Sequence, residues 1–221
     1  MHRVEIRREI VERVLARRGR LHLFERLDSK RTALLVIDMQ NAFLAPGAPV
    51  EVPAARDIVP GINRLAAELR RRSVPVIWVL HENRGWSGFF DVFVAAERRE
   101  ASIAALARGS EMQEPWPELR VENQDLHVSK NRYSALISGA SDLENILRSR
   151  NIDTLLIAGT KTNVCCECTA RDAMMLDFKV VMLSDCTAAL SDEEHRATLE
   201  NVIQQFGDVL TADETLALLD R

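Results

Sequence analysis

Short apolar runs of strand length alternate with helical patterns along most of this chain, and this alternation constrains its fold more than any other feature. The run Thr32–Ile37 is continuous and rich in β-branched residues, which is typical of a strand buried on both faces of a parallel sheet. Further strands are predicted at 74–80, 125–129, 152–158, 178–184 and 208–211, and helices at 57–72, 93–107, 141–150, 191–206, 212–219 and after Cys165. The pattern predicts an α/β protein with a three-layer doubly wound fold: a six-stranded parallel sheet with helices on both faces.

Length, net charge and cysteine content argue against several classes of protein. The 221 residues suffice for one domain with a full core. A net charge of −4 argues against a nucleic-acid-binding surface, and no apolar stretch approaches the ~20 residues that span a bilayer. Three of the four cysteines fall within four residues, which does not suggest a disulfide framework. We therefore expect a cytoplasmic protein with no nucleic-acid partner and no membrane partner.

The first thirty residues differ in character from the rest of the chain. Residues 1–30 carry nine Lys and Arg against five Asp and Glu, with apolar residues spread along an amphipathic helical pattern. We interpret 1–30 as a helical arm and 31–221 as a single domain. Such an arm packs on its own domain or on a neighbouring subunit, and we favour the neighbouring subunit.

The segment from Gly159 to Ala173 contains the candidate nucleophile. An apolar run precedes it and helically spaced apolar residues follow, so the pattern predicts a strand, a tight turn and a helix. Cys165 then lies in the first turn of that helix, where free N–H groups and the helix dipole favour a thiolate. Taken alone, a cysteine after a strand is more often a small buried apolar residue.

Asp38 and Lys130 favour the interpretation of Cys165 as a nucleophile over that of a buried apolar residue. Each residue directly follows a predicted strand, as Cys165 follows another, so all three fall at one edge of one sheet. A thiol, a carboxylate and an ammonium group form a workable set for acyl transfer, in which Asp38 takes the thiol proton and returns it to a leaving amine.

Other chemistries fit the sequence less well. Cys165 and Arg171 have the Cys-x5-Arg spacing of a phosphatase, but the residues between them contain no glycine and read as helix. A Cys–His hydrolase needs a histidine near the thiol, and His81, at the end of the second strand, is the candidate for that position. A metal site at Cys165, Cys166 and Cys168 is disfavoured because that spacing scatters the sulfurs around a helix.

Three segments together resemble the signatures of the isochorismatase-like cysteine hydrolase superfamily. They read TALLVIDMQNAF from Thr32, KNRYSA from Lys130 and GTKTNVCCECTARDA from Gly159. The similarity in order and spacing extends from about residue 30 to about residue 215. Within the superfamily, Gln40-Asn41 and Arg132-Tyr133-Ser134 look most like the ureidoacrylate and carbamoyl amidohydrolases.

The resemblance implies a set of roles for named residues. It implies a catalytic triad of Cys165, Asp38 and Lys130, and a cis peptide bond between Thr160 and Lys161. That bond would aim the N–H of Lys161, with the N–H of Cys165, into an oxyanion hole. No Asp-x-His with further histidines follows Asp38, so we expect no metal site of the nicotinamidase type and no cofactor. Homodimers or homotetramers are typical of the superfamily.

The resemblance also implies an activity. Members that cleave isochorismate lack the cysteine, so Cys165 favours hydrolysis of a C–N bond in a small amide, ureido or carbamoyl compound, through a thioester and with release of ammonia or an amine. The alternatives are an isochorismatase-type hydrolase of another small metabolite and a catalytically silent binding protein of the same fold. Candidate substrate-binding residues are Gln40, Asn41, Asn83 and Tyr133, with Glu82 and Trp86 as further candidates.

Overall fold

The computed structural model describes residues 2, 4–83 and 92–219. Within these ranges the strands are Thr32–Ile37 (β1), Val76–His81 (β2), Leu126–Lys130 (β3), Thr154–Thr160 (β4), Lys179–Ala188 (β5) and Asp208–Leu210 (β6). They form one parallel sheet in the order β3-β2-β1-β4-β5-β6. The predicted sheet is confirmed.

Helices cover both faces of the sheet. In the described ranges they are Arg8–Arg18 (α1), Asn41–Leu44 (α2), Val59–Arg71 (α3), Ala96–Ala105 (α4), Leu143–Ser149 (α5), Glu167–Met175 (α6), Asp192–Asn201 (α7) and Ala212–Leu219 (α8). The helix predicted at 191–206 ends at Asn201, and the chain continues as a π-helical turn over Val202–Phe206. None of these helices is long and apolar enough to cross a membrane.

Strand β1 shows why the two helical layers form. All of its side chains are buried, and they alternate between two cores. Leu34 and Val36 pack in the core with α3 and α8, whereas Leu35 and Ile37 pack in the core with α5, α6 and α7. A strand apolar on both sides is stable only between two helical layers, so the continuous apolar run specified a central strand.

The N-terminal arm packs against its own domain. Ile10 and Val14 of α1 are buried in the second core, and the Arg7 guanidinium donates to both carboxylate oxygens of Glu200 on α7. Farther along, the backbone N–H of Leu23 donates to the buried carboxylate of Asp208, over 2.6 Å. The buried face of the arm therefore lies on its own domain, which was the alternative that we did not favour.

The strand order creates a topological switch point at the carboxyl edge of the sheet, between β1 and β4. β1 and β4 are neighbours, and the chain runs outward from them in opposite directions, to β2 and β3 on one side and to β5 and β6 on the other. Open parallel sheets bind their ligands at the carboxyl ends of the strands beside such a point. Asp38 follows β1 there, and the turn with Cys165 follows β4.

Candidate active site

Asp38 and Lys130 form a buried ion pair at this edge. Lys130 ends β3, which is separated from β1 by β2, so the lysine side chain extends across the intervening strand. Its Nζ atom lies 2.9 Å from Oδ2 of Asp38, and both side chains are fully buried. The predicted proximity of the acid and the amine is thus found in the structure, although Lys130 belongs to the strand instead of following it.

The backbone at Asp38 turns sharply out of the strand. Its φ angle is +54°, a left-handed conformation that Asp tolerates better than most residues, and its N–H donates to the carbonyl of Val79 on β2. Oδ1 of Asp38 has no hydrogen-bond partner among the described residues. Burial raises the pKa of the Asp38 carboxyl group, against the opposing effect of Lys130. A buried carboxylate with a free oxygen is placed to accept a proton.

Lys130 has an acceptor for each proton of its ammonium group. Besides Asp38, Nζ contacts Nδ1 of His81 at 3.2 Å and donates to the carbonyl oxygen of Arg132 at 3.1 Å. Burial acts to lower the pKa of Lys130, but the attraction of Asp38 and Cys165 outweighs it, so the pKa is raised. Lys130 is therefore a cation that its partners hold in place.

Cys165 lies beside this pair and is almost fully buried. It belongs to a π-helical turn, Thr162–Cys166, that precedes α6. Its thiol lies close enough to shift the pKa of both Asp38 and Lys130. Burial raises the pKa of Cys165, and Asp38 raises it further, whereas Lys130 opposes both. The predicted preference for a thiolate therefore does not hold in the resting protein, because burial and the charge of Asp38 raise the pKa of Cys165.

The turn that holds Cys165 is anchored from two sides. The Thr160–Lys161 peptide bond is cis, as the resemblance implies. Thr162 pairs through Oγ1 with Nδ1 of His195 on α7, at 2.9 Å. On the other side, Oγ1 of Thr169 donates to the carbonyl of Cys165 and accepts from the N–H of Ala135. The oxyanion hole at the N–H groups of Lys161 and Cys165 remains a prediction.

Sequence reasoning missed the anchoring role of Thr169. Its position four residues after Cys165, on the same face of a helix, was the available signal. It underestimated His81 as well, which ends β2 and contacts the Lys130 ammonium group.

Gln40 and Asn41 differ in what they can offer to a substrate. Gln40 is fully buried, and its amide donates to the carbonyls of His81 and Gln113 and accepts from the N–H of His81. These bonds tie the ends of β1 and β2 together. Asn41 uses Nδ2 to donate to the carbonyl of Glu111, while its buried Oδ1 has no partner among the described residues. Substrate binding by both residues stays a prediction.

Tyr133 is the predicted pocket residue that the structure places near the thiol. Burial and the nearby Cys165 raise the pKa of Tyr133, and its side chain is part exposed. Asn83 donates its backbone N–H to Leu106 beyond the end of β2, next to the buried Glu82. Trp86 lies outside the described residues. Contacts of Tyr133 and Asn83 with a substrate likewise stay predictions.

The competing chemistries can be compared with this geometry. Arg171 lies on α6, where it donates to Glu167 and stacks over the ring of Phe206, so it does not cap a phosphate cradle around Cys165. Within the described ranges, no three His, Cys, Asp or Glu side chains are placed to hold a metal ion. The arrangement favours thiol chemistry assisted by a carboxylate and an ammonium group.

Comparison with known proteins decides the family. A sequence model of the isochorismatase domain matches residues 32–214. The chain belongs to the isochorismatase family. A solved structure similar to this isochorismatase-family chain is that of a cysteine hydrolase from Pseudomonas syringae pv. phaseolicola 1448A. It has a TM-score of 0.82 at 32% identity and covers 91% of this chain and 97% of the other.

Two relatives of this isochorismatase-family chain differ in activity. Ureidoacrylate amidohydrolase RutB of Methylobacterium radiotolerans is 30% identical over 219 residues, which cover 88% of this chain and 83% of RutB. A probable inactive nicotinamidase of Arabidopsis thaliana is 33% identical over 172 residues, 77% of this chain and 87% of that protein. The chain therefore belongs to a hydrolase family that includes amidohydrolases and also a relative named as inactive.

Proposed function

We propose that this protein is a cysteine-dependent amidohydrolase that cleaves a C–N bond of a small amide, ureido or carbamoyl compound. One observation carries the proposal: the thiol of Cys165 lies beside a fully buried Asp38–Lys130 ion pair at the carboxyl edge of the sheet. A nucleophile, a proton acceptor and a fixed cation are the groups that acyl transfer to sulfur requires.

The first half of the reaction transfers the acyl group to sulfur. Asp38 accepts the proton of the Cys165 thiol through its unpartnered oxygen as the sulfur attacks the carbonyl carbon. The N–H groups of Lys161 and Cys165 hold the oxyanion. The C–N bond then breaks, Asp38 returns the proton to the departing nitrogen, and ammonia or an amine leaves a thioester on Cys165.

The second half hydrolyses that thioester. A water molecule gives one proton to Asp38 and attacks the thioester carbon, the C–S bond breaks, and the thiol regains its proton. Net, one amide and one water become one acid and one ammonia or amine. Lys130 stays a cation throughout, and its charge stabilises the sulfur anion as it forms.

The raised pKa of Cys165 fits this scheme. A permanent thiolate would need no base, whereas a buried neutral thiol beside a buried carboxylate needs proton transfer within the site. Because burial raises the pKa of Asp38 as well, the carboxylate has increased affinity for the proton that it must accept.

Unpartnered oxygens support an N–H-rich substrate. Among the described residues, one buried side-chain donor, Nε1 of Trp116, has no hydrogen-bond partner, against four buried acceptors: Oδ1 of Asp38, Asn41, Asn131 and Asn163. Each of the four acceptors follows β1, β3 or β4 at the carboxyl edge of the sheet. Buried acceptors of this kind are stabilised by N–H donors, which ureido and carbamoyl groups carry beside the scissile bond. The similarity to RutB supports the same substrate class.

A screen for ammonia release tests the proposal. Ureido acids, biuret-like compounds, nicotinamide and simple amides are incubated with the protein and with its Cys165→Ala and Cys165→Ser variants. Cys168→Ala is the matched control, because Cys168 lies one turn along the same helical segment and is only part buried. We expect turnover of a ureido or carbamoyl compound that both Cys165 variants abolish and that Cys168→Ala leaves unchanged.

Trapping the intermediate separates this mechanism from its rivals. Rapid acid quenching during turnover, followed by mass spectrometry, should find the acyl group on the peptide that contains Cys165. Turnover that persists in Cys165→Ala would refute the cysteine mechanism. No turnover with any compound would favour the silent binding protein that the Arabidopsis relative suggests.

A further inference from the structure

His81 contacts the catalytic cation directly. Its Nδ1 atom lies 3.2 Å from Nζ of Lys130, and the two residues are register partners on β2 and β3. The backbone of His81 is fixed as well, because its N–H donates to Oε1 of Gln40 and its carbonyl accepts from Nε2 of the same side chain. The ring therefore has a defined position in the site.

The contact with Lys130 determines the protonation of the ring. An ammonium group only donates hydrogen bonds, so Nδ1 of His81 must accept, and the single proton of the neutral imidazole resides on Nε2. Burial lowers the pKa of His81 well below its usual value, and the charges of Lys130 and Arg132 lower it further. The tautomer follows from the hydrogen-bond partners, with Lys130 as the deciding group.

The other ring nitrogen is not engaged. Nε2 of His81 has no hydrogen bond to any described residue, and it is not among the fully buried polar atoms that lack a partner. The residue keeps a small exposed fraction of 7%. Nε2–H is thus a neutral donor that reaches accessible space beside the ion pair.

We propose that His81 serves the site with both ring nitrogens: Nδ1 orients the Lys130 ammonium group, and Nε2–H donates a hydrogen bond to an oxygen of the substrate. The second role rests on the proposed function. Because Nδ1 accepts from Lys130, the imidazole ring is held in one orientation and stays neutral. Its Nε2–H therefore binds a carbonyl or carboxylate oxygen without placing a second positive charge beside Lys130. His81 is in this sense a positioning residue for Lys130 and a binding residue for the substrate.

The tautomer can be measured without any substrate. Protein with ¹⁵N-labelled histidine is titrated by NMR between about pH 5 and about pH 8, the range in which an ordinary histidine changes charge. The His81 signals are assigned from their loss in His81→Asn. We expect a neutral ring with its proton on Nε2 throughout, and His127→Gln, which alters an exposed residue of β3, should leave these signals unchanged.

Two variants of His81 test the roles of Nδ1 and Nε2 separately, through KM and kcat. The amide of His81→Asn occupies the place of Nδ1, so it keeps an acceptor for Lys130 and loses the donor to the substrate. The amide of His81→Gln reaches the place of Nε2, so it keeps the donor and loses the acceptor. With the substrate found by the ammonia screen, we expect His81→Asn to raise KM about tenfold with kcat nearly unchanged. We expect His81→Gln to lower kcat by about tenfold with a smaller change in KM.

Each result has a definite meaning. A proton on Nδ1, or a ring that titrates near its usual pKa, would overturn the link to Lys130 whether or not the protein is an amidohydrolase. An unchanged KM in a folded His81→Asn variant would overturn the substrate contact. If the screen finds no substrate, the proposed function and the substrate contact fail together, and the NMR titration still decides the link to Lys130.

Discussion

A Cβ atom on Gly159 would lie 2.0 Å from the carbonyl oxygen of Ile37. The two residues are register partners on β4 and β1, and Gly159 has a φ angle of +112°. Ile37 immediately precedes Asp38, and Gly159 leads through Thr160 into the turn of Cys165. This close backbone approach therefore sets the spacing between the strand ends that carry the acid and the nucleophile.

Replacing Gly159 with Ala should disrupt that spacing. The added methyl group meets backbone atoms that cannot rotate away, and the backbone conformation is itself unfavourable for alanine. We expect the free energy of unfolding, measured in urea, to fall by more than ~2 kcal/mol. Gly139→Ala is the control, since Gly139 also has positive φ but open space around it, and should cost only about 1–2 kcal/mol. Equal losses in the two variants would contradict the steric explanation.

Removing the cation should destabilise the fold as well as the chemistry. Lys130→Met leaves the fully buried Asp38 carboxylate without its charged partner. Breaking a buried pair in this way costs about 3–5 kcal/mol, because an uncompensated charge remains in the interior. We expect urea denaturation to show a loss of this size for the single variant and a smaller loss for Lys130→Met combined with Asp38→Asn. If the free energy of unfolding of the double variant falls by the sum of the losses in the two single variants, the result would argue against charge pairing.

His195 should make stability depend on pH. It is fully buried between Thr162 and the carbonyl of Ser184, and burial, together with a smaller effect of the stacked His2, lowers the pKa of His195 to about 4. Unfolding returns the pKa to about 6.5. Between these values the unfolded chain binds a proton that the folded protein does not, so this contribution to stability is complete above about pH 6.5 and is lost as the pH falls toward 4.

The size of this effect can be measured by comparison with a variant. From about pH 7 to about pH 5, His195 should account for a loss of about 2 kcal/mol in the free energy of unfolding. His195→Gln, which keeps a donor for Ser184, should be less stable at neutral pH but should lose less between the two pH values. His127→Gln serves as the control at an exposed histidine. An unchanged pH slope in His195→Gln would show that His195 does not titrate as proposed.

The Arg7–Glu200 contact should hold the arm on the domain. The guanidinium donates to both carboxylate oxygens of Glu200, whose side chain is nearly buried. We expect Arg7→Met to speed amide hydrogen exchange throughout α1, since the helix loses a charge-assisted anchor beside its first turn. Arg8→Met is the matched control, because Arg8 is exposed and, among the described residues, its ion pair is with Glu12 of the same helix. The same exchange rates in both variants would mean that Ile10 and Val14 alone secure the arm.

Several features were predictable because neighbouring residues encode them. The apolar run of β1 specified a central strand by its own composition, and the order of strands and helices specified a parallel sheet. Asp38, Lys130 and Cys165 could be placed at one edge because the carboxyl ends of parallel strands share an edge. Strand ends were less predictable: Lys130 and His81 belong to their strands, since pairing with neighbouring strands extends the ladder beyond the apolar run.

Burial and charge at the site depended on residues far apart in the chain. The sequence alone determined which side chains follow which strands, because that information is local and periodic. Only the tertiary structure decided that the Cys165 thiol is neutral at rest, that His81 accepts from Lys130 and that the arm rests on its own domain. A pKa reflects desolvation and nearby charges, and both arise only when distant strands and helices pack together.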